Sequence, residues 1–376
     1  MRKRVLLTDV VFPNKYAKWR LLEIKAFMEN YDTDVLNIYR VDNFADIEFK
    51  VDYEELCEEY NLQNYDILIF NPKYNYLNKY NKDIDGTVYN NTYYGNYLFR
   101  LKKFRHGNFV LDYYCVYHIF MICAQVFNDR YKFPQNKQYI HLYPGGNGYS
   151  PISKYPQMNV IATQYFITEF LNTRPNRYIN VYGAPYLEKN AVMKPRVLKS
   201  DQLSVCFTSL GQSYHKGSDI YVKIAAEYKI KYPAHNIIFY GIGNVEQSQY
   251  ITNMPPMSQK DLDIFYQDID IIFNLERGKT DNGWPLGAEA VFQGAILLTV
   301  DNNNMNYKNG YNIDKFHIID SNNINEIVDK IQKLYEDRGI LAQYSNILQK
   351  RFYELFSYKD TMSKIFNFIK ERNSTD

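Results

Sequence analysis

Two stretches of this 376-residue chain place ionisable side chains beside glycines in a pattern that suits an anionic ligand. In SLGQSYHKG (209–217), Lys216 follows an apolar run and precedes a glycine. In DNGWPLGAEAVFQG (281–294), Pro285 stands where a first helical residue is favoured, and Gly283 and Gly287 bracket that turn. A helix N-terminus offers unpaired backbone amides, which together with a lysine can hold a diphosphate. Glycine lets the backbone approach such a ligand closely. Glu289 lies among Ala288, Ala290, Val291 and Phe292, where a carboxylate is costly unless something pairs with it. As an acceptor-only group it can receive two hydroxyl donors at once. Each residue also has a plainer reading: Lys216 as a solvated loop lysine, Glu289 as a structural carboxylate serving a core donor.

The elements that must position these residues alternate between apolar runs and amphipathic stretches. RVLLTDVVF (4–12), TDVLNIYRV, YDILIFNP (65–72), QYIHLYPGGNGYS (138–150), NVIATQ and INVYGAPY (179–186) contain strand-like runs, and 18–31 has helical spacing. The polar segment 187–202, with Pro195, suits a linker. The rhythm then restarts. LSVCFTSLG (203–211), HNIIFYGIGN, DIIFNL and AILLTVD (295–301) read as strands. The helices between them are 218–233, 258–269 (Ser258 as N-cap) and LGAEAVFQG, with 322–337 following. SYKDTMSKIFNFIKER (357–372) is an amphipathic terminal helix. This alternation predicts an α/β fold of two similar units, each a parallel sheet wrapped by helices. Ligands of such sheets bind at the C-terminal ends of the strands.

Four stretches of the second half, in one order, resemble the nucleotide-sugar domain of GT-B glycosyltransferases, most closely retaining family 4 (glycosyl transferases group 1). They are SLGQSYHKG, FYGIGN (239–244), QKDLDIFYQDIDIIF (259–273) and DNGWPLGAEAVFQGAILLTVD. The resemblance covers about residues 203–340; the first half matches in outline. It implies GT-B architecture, with two Rossmann-like domains facing a central cleft and a C-terminal helix returning to the N-terminal domain. The expected bounds are an acceptor-binding domain at 1–190, a nucleotide-sugar domain at 203–355 and the returning helix at 356–376.

The resemblance also implies roles. Lys216 contacts the donor diphosphate and Glu289 accepts from both ribose hydroxyls. Gly283, Trp284, Leu286 and Gly287 form the donor-binding turn. The motif's first acid falls at Asp281, with Glu276 as the alternative, and Asp281 also reads as a plain turn residue. Gly211 stands where the family carries a diphosphate-binding arginine, and Arg277 is a steric substitute. His141 matches a strand-end histidine near the donor sugar, where it would hydrogen-bond and stabilise charge in the transition state. Its alternative is a satisfied histidine at a strand end. His106 is a candidate on the acceptor side, and His118 looks core-facing. Asn14 and Lys15 stand where the family has a glycine-rich turn and are candidates to line the cleft.

The implied reaction is retaining, metal-independent transfer from a UDP- or GDP-linked sugar to a hydroxyl of a glycan or lipid-linked acceptor. No cofactor is expected beyond the donor, and no metal site, since the histidines lack ligand spacing. A nucleotide-sugar 2-epimerase-like isomerase or a non-catalytic nucleotide-sugar-binding subunit would use the same pocket. The net charge of +2 gives no global field for nucleic acid. Cys57, Cys115, Cys123 and Cys206 form no CxxC pair and read as reduced thiols. No apolar run reaches the ~20 residues needed to span a bilayer. The expected location is the cytoplasm, or the inner membrane surface through Lys15, Lys18 and Arg20 or through Arg100, Lys102, Lys103 and Arg105. The Tyr/Asn-rich stretch 74–97 reads either as compositional bias or as a sugar-stacking surface.

Overall fold

The computed structural model describes residues 2–9, 18–37, 51–52, 65–71, 134–142, 157–162, 177–181, 192–193, 196, 202–209, 213–255, 257, 259–277, 284–301 and 311–374. The chain forms two compact units, one of residues 1–185 with 361–376 and one of residues 186–360.

The first unit holds a parallel sheet of β1 (Arg4–Asp9), β2 (Asp32–Asn37), β3 (Val51–Asp52), β4 (Ile67–Asn71), β5 (Gln138–Leu142), β6 (Asn159–Ala162) and β7 (Tyr178–Asn180). Its order is β3-β2-β1-β4-β5-β6-β7. Val5, Leu6, Leu7, Ile67, Leu68 and Ile69 are fully buried, as expected for central strands covered on both faces. Helix α1 (Lys18–Asn30) buries Ile24 and Phe27 and exposes Lys25 and Glu29. The run expected over 4–12 is strand to Asp9; residues 10–17 lie outside the described residues.

The second unit begins its sheet with β8 (Leu203–Ser209), followed by α2 (Ser213–Lys216) and α3 (Ser218–Lys231). Then come β9 (Ile237–Gly243), β10 (Thr252–Met254), α4 (Gln259–Phe265), β11 (Ile271–Asn274), α5 (Trp284–Phe292) and β12 (Ile296–Val300). The short β13 (Ile318–Ile319), α6 (Ile324–Glu336) and α7 (Arg338–Phe356) complete it. The order is β10-β9-β8-β11-β12-β13, all parallel. Register aligns Val205, Ile271 and Ile296 in one row and Phe207, Phe273 and Leu298 in another. These rows pack with Ile220, Tyr221 and Ile224 of α3 and with Ile327 and Ile331 of α6 in one core. Tyr221 stacks on Phe207 at 5.0 Å and donates its hydroxyl to two strand carbonyls, those of Val205 and Tyr240. In both sheets the chain turns back between two central strands, β1/β4 and β8/β11. That point is where a doubly wound sheet opens a crevice for ligands.

Within the segment read as a polar linker, Arg196 is anchored to the second unit. Arg196 is buried and donates to Asp270 at 2.6 Å and to the Gln267 carbonyl at 2.8 Å. Asp270 also accepts from the Ser204 amide at 2.8 Å. An arginine buried this deeply needs such a partner, because an unpaired charge there would cost several kcal/mol.

The last helix, α8 (Tyr358–Ser374), buries Met362, Ile365, Phe368 and Ile369. Phe366 meets Phe27 of α1 edge-on at 5.2 Å, and Phe368 meets Tyr139 of β5 at 6.0 Å. Among the described residues no helix is long and apolar enough to cross a membrane.

Candidate functional site

The switch point of the second sheet holds Lys216, supplied by the first of the two opening stretches. After β8 ends at Ser209, helix α2 delivers Lys216 at its last position. The junction from α2 to α3 is Gly217, at φ 82°. A Cβ there would overlap the carbonyl of Leu275, just beyond β11. Only glycine combines that left-handed backbone with that close approach. The approach brings Lys216 Nζ to 2.7 Å from a carboxylate oxygen of Glu276. The Glu276 side chain is 9% exposed and that of Lys216 is 25% exposed.

Arg277, the next residue, is held by the same segment. Its guanidinium donates to both carboxylate oxygens of Asp219 at 2.6 and 2.7 Å and to the Tyr214 carbonyl at 2.6 Å. It also covers the Tyr214 ring at 4.2 Å. Hydrogen bonding from Arg277 is the main cause that lowers the Asp219 carboxyl pKa. Arg277 is therefore committed to Asp219 in this structure. As a replacement for the arginine missing at Gly211 it would have to give up a bidentate pair.

Glu289 sits in α5 and is 9% exposed. The helix is ended by Gly294 at φ 95°, whose amide bonds back to the Val291 carbonyl at 2.9 Å, a common glycine stop. Helix α7 satisfies further carbonyls at that end: Ser345 donates to Gly294 at 2.6 Å and Gln349 to Phe292 at 2.9 Å. Gly287 has a packing reason. A Cβ there would meet the Leu297 side chain of β12 at 2.9 Å, so the glycine lets α5 lie close on the sheet.

The structure adds polar residues that the motifs did not single out. One step beyond the Phe207–Phe273 pair, Thr208 and Asn274 succeed one another across the sheet, and Asn274 pairs in register with Thr299. Asn274 donates to the Thr299 hydroxyl at 3.0 Å, and Thr208 bonds to the buried Tyr266 hydroxyl at 3.3 Å. Burial is the main cause that pushes the Tyr266 hydroxyl pKa up. Tyr266 thus stays protonated. Ser209 buries a hydroxyl with no partner among the described residues. The available signal was the polar residue at or near each strand's end, in FTS, IFN and LTV.

Other candidates are placed only in part. His141 is the penultimate residue of β5, paired in register with Ile161; its side chain lies outside the described residues. Trp284 and Leu286 are helical in α5, with their side chains likewise outside. Gly211, Asp281, Gly283, Asn14, Lys15, His106, His118 and Ser258 lie outside the described residues altogether.

No protein-family model matches the chain, and none of the curated proteins compared matches it. Solved structures do share its fold. A glycosyltransferase from Rickettsia africae ESF-5 superposes with TM-score 0.60 at 11% identity over 100% of both chains. An α-glucosyltransferase in complex with UDP and a 13-mer DNA containing a HMU base gives 0.56 at 10% identity, over 98% of this chain and 100% of that one. A point mutant of S. aureus TarM, in complex with Fondaparinux, alpha-GlcNAc-glycerol and UDP, aligns over 65% of this chain but 53% of its own, at TM-score 0.48 and 13% identity. The chain therefore spans about half of that protein and the full length of the other two. Its architecture is the α/β GT-B fold, with two parallel sheets flanked by helices.

Proposed function

We propose that this protein is a retaining glycosyltransferase. It moves a sugar from a UDP- or GDP-linked donor to a hydroxyl of a glycan or lipid-linked acceptor, and it needs no metal ion. One observation carries the reading. Lys216 and Glu276 meet at the switch point of a 3-2-1-4-5-6 sheet, in a chain with the fold of glycosyltransferases, one of them solved with UDP. The neighbour solved with DNA does not extend nucleic acid to this chain, whose net charge is only +2.

In this reading Lys216 and the amides of the first turn of α5 neutralise the diphosphate as it leaves. Glu289 accepts both ribose hydroxyls. Glu276 or Asp281 serves as the acid near the transferred sugar. His141, as the family resemblance implies, hydrogen-bonds the sugar and stabilises charge at its reacting carbon. No protein nucleophile is invoked: the acceptor hydroxyl attacks on the face the diphosphate leaves, through an oxocarbenium-like state, and its proton passes to the departing diphosphate oxygen.

Isothermal titration with UDP, GDP and their sugar conjugates tests the site. Wild type is expected to bind one nucleotide series, and Glu289→Ala to lose about 10- to 100-fold in affinity, as befits a buried carboxylate serving two hydroxyls. Equal binding by Glu289→Ala would remove Glu289 from the site.

A further inference from the structure

The segment after β11 is laced to the segment after β8 by two adjacent charged residues. Glu276 accepts from Lys216 at 2.7 Å, and Arg277 clasps Asp219 through two hydrogen bonds. The Arg277 clasp fixes the backbone beside Glu276, so Glu276 can leave Lys216 only by turning its side chain. A phosphate oxygen and a carboxylate oxygen make the same demand on an ammonium, a short charge-assisted hydrogen bond. Two anions sharing one lysine in a largely buried site repel each other.

We propose that Glu276 competes internally with the donor's diphosphate for Lys216, so that the chain selects a complete nucleotide-sugar over the bare nucleoside diphosphate. The inference rests on Lys216 being the diphosphate ligand. When a diphosphate takes Lys216, the Glu276 carboxylate loses this charge-assisted hydrogen bond while remaining largely buried, which is unfavourable. Sugar hydroxyls can offset that loss by donating to it; a bare nucleoside diphosphate brings no such donor. The spent nucleotide is then bound less tightly than the donor, and release is favoured once the sugar has moved.

The experiment is titration of wild type, Glu276→Gln, Glu276→Asp and Lys216→Ala with UDP, GDP, UDP-glucose, UDP-N-acetylglucosamine and GDP-mannose. Wild type is expected to bind a sugar nucleotide more tightly than its bare diphosphate. Glu276→Gln removes the competing charge and should tighten bare diphosphate binding about tenfold while weakening the acceptor for the sugar hydroxyls, so that the preference for the sugar nucleotide is lost. Glu276→Asp keeps the charge but draws it back from Lys216, and should move the bare diphosphate the same way by less. It carries the test if Glu276→Gln does not fold. Unchanged or weaker diphosphate binding in the substituted chains overturns the competition. Wild-type affinity retained by Lys216→Ala, or no nucleotide bound by wild type, overturns the diphosphate role of Lys216 and the competition with it.

Discussion

His317 illustrates how single buried groups in the second unit set its response to pH. Its Nδ1 lies 3.0 Å from the Leu297 carbonyl, which can only accept, so Nδ1 carries the proton. Its Nε2 is buried with no partner among the described residues. Burial lowers the imidazole pKa from 6.5 to about 4. Between those values the unfolded chain takes up a proton that the folded chain refuses, so stability falls as pH drops from 6.5 towards 4. Below 4 the loss levels off, and above 6.5 none is incurred. The share lost is roughly 3 kcal/mol. Urea unfolding over this pH range should show His317→Gln with a correspondingly flatter dependence; an unchanged slope would place the titration elsewhere. At the same scale, burial raises the Cys206 thiol pKa to about 12, which makes it an inert core residue, as the absence of any CxxC pair suggested.

At the scale of elements, the closest coupling is between the α2–α3 junction and the end of β11. Gly217→Ala would force a side chain into a left-handed backbone and against Leu275. We expect a loss of about 1–3 kcal/mol in stability and a further weakening of nucleotide binding, because Lys216 is the preceding residue. Thermal unfolding with parallel titration checks this; full binding by a destabilised Gly217→Ala would show that the junction does not position Lys216. The sheet strands were legible because Val205, Phe207, Ile271, Phe273, Ile296 and Leu298 stand in short β-branched and aromatic runs. The edge strands β10 and β13 were not legible. They have three and two residues, too few for any periodicity. Helix α7 escaped for a different reason. Its buried face includes Ser345 and Gln349, which serve the end of α5, so its apolar stripe is interrupted where the packing matters most.

At the scale of the whole molecule, the order 3-2-1-4-5-6 recurs as the core of both sheets. The sequence suggested two similar α/β units through the restart of the strand–helix rhythm after 202, but it could not give the strand order. Lys216 and Glu289 were legible because glycines and an apolar setting mark them. The partners Asp219 and Tyr266 were not, since their roles arise from contacts between residues 58 positions apart. A glycosyltransferase consumes nucleotide-sugars, and that is directly measurable for this chain. The most direct measurement incubates the purified chain with the donor panel and a mixture of glycan and lipid-linked acceptors, and follows nucleotide release and product mass together. Wild type should release UDP or GDP with a matching hexose added to an acceptor, and Lys216→Ala should do so at least about 100-fold more slowly. Donor binding with no consumption by wild type, or equal turnover by Lys216→Ala, would contradict this expectation.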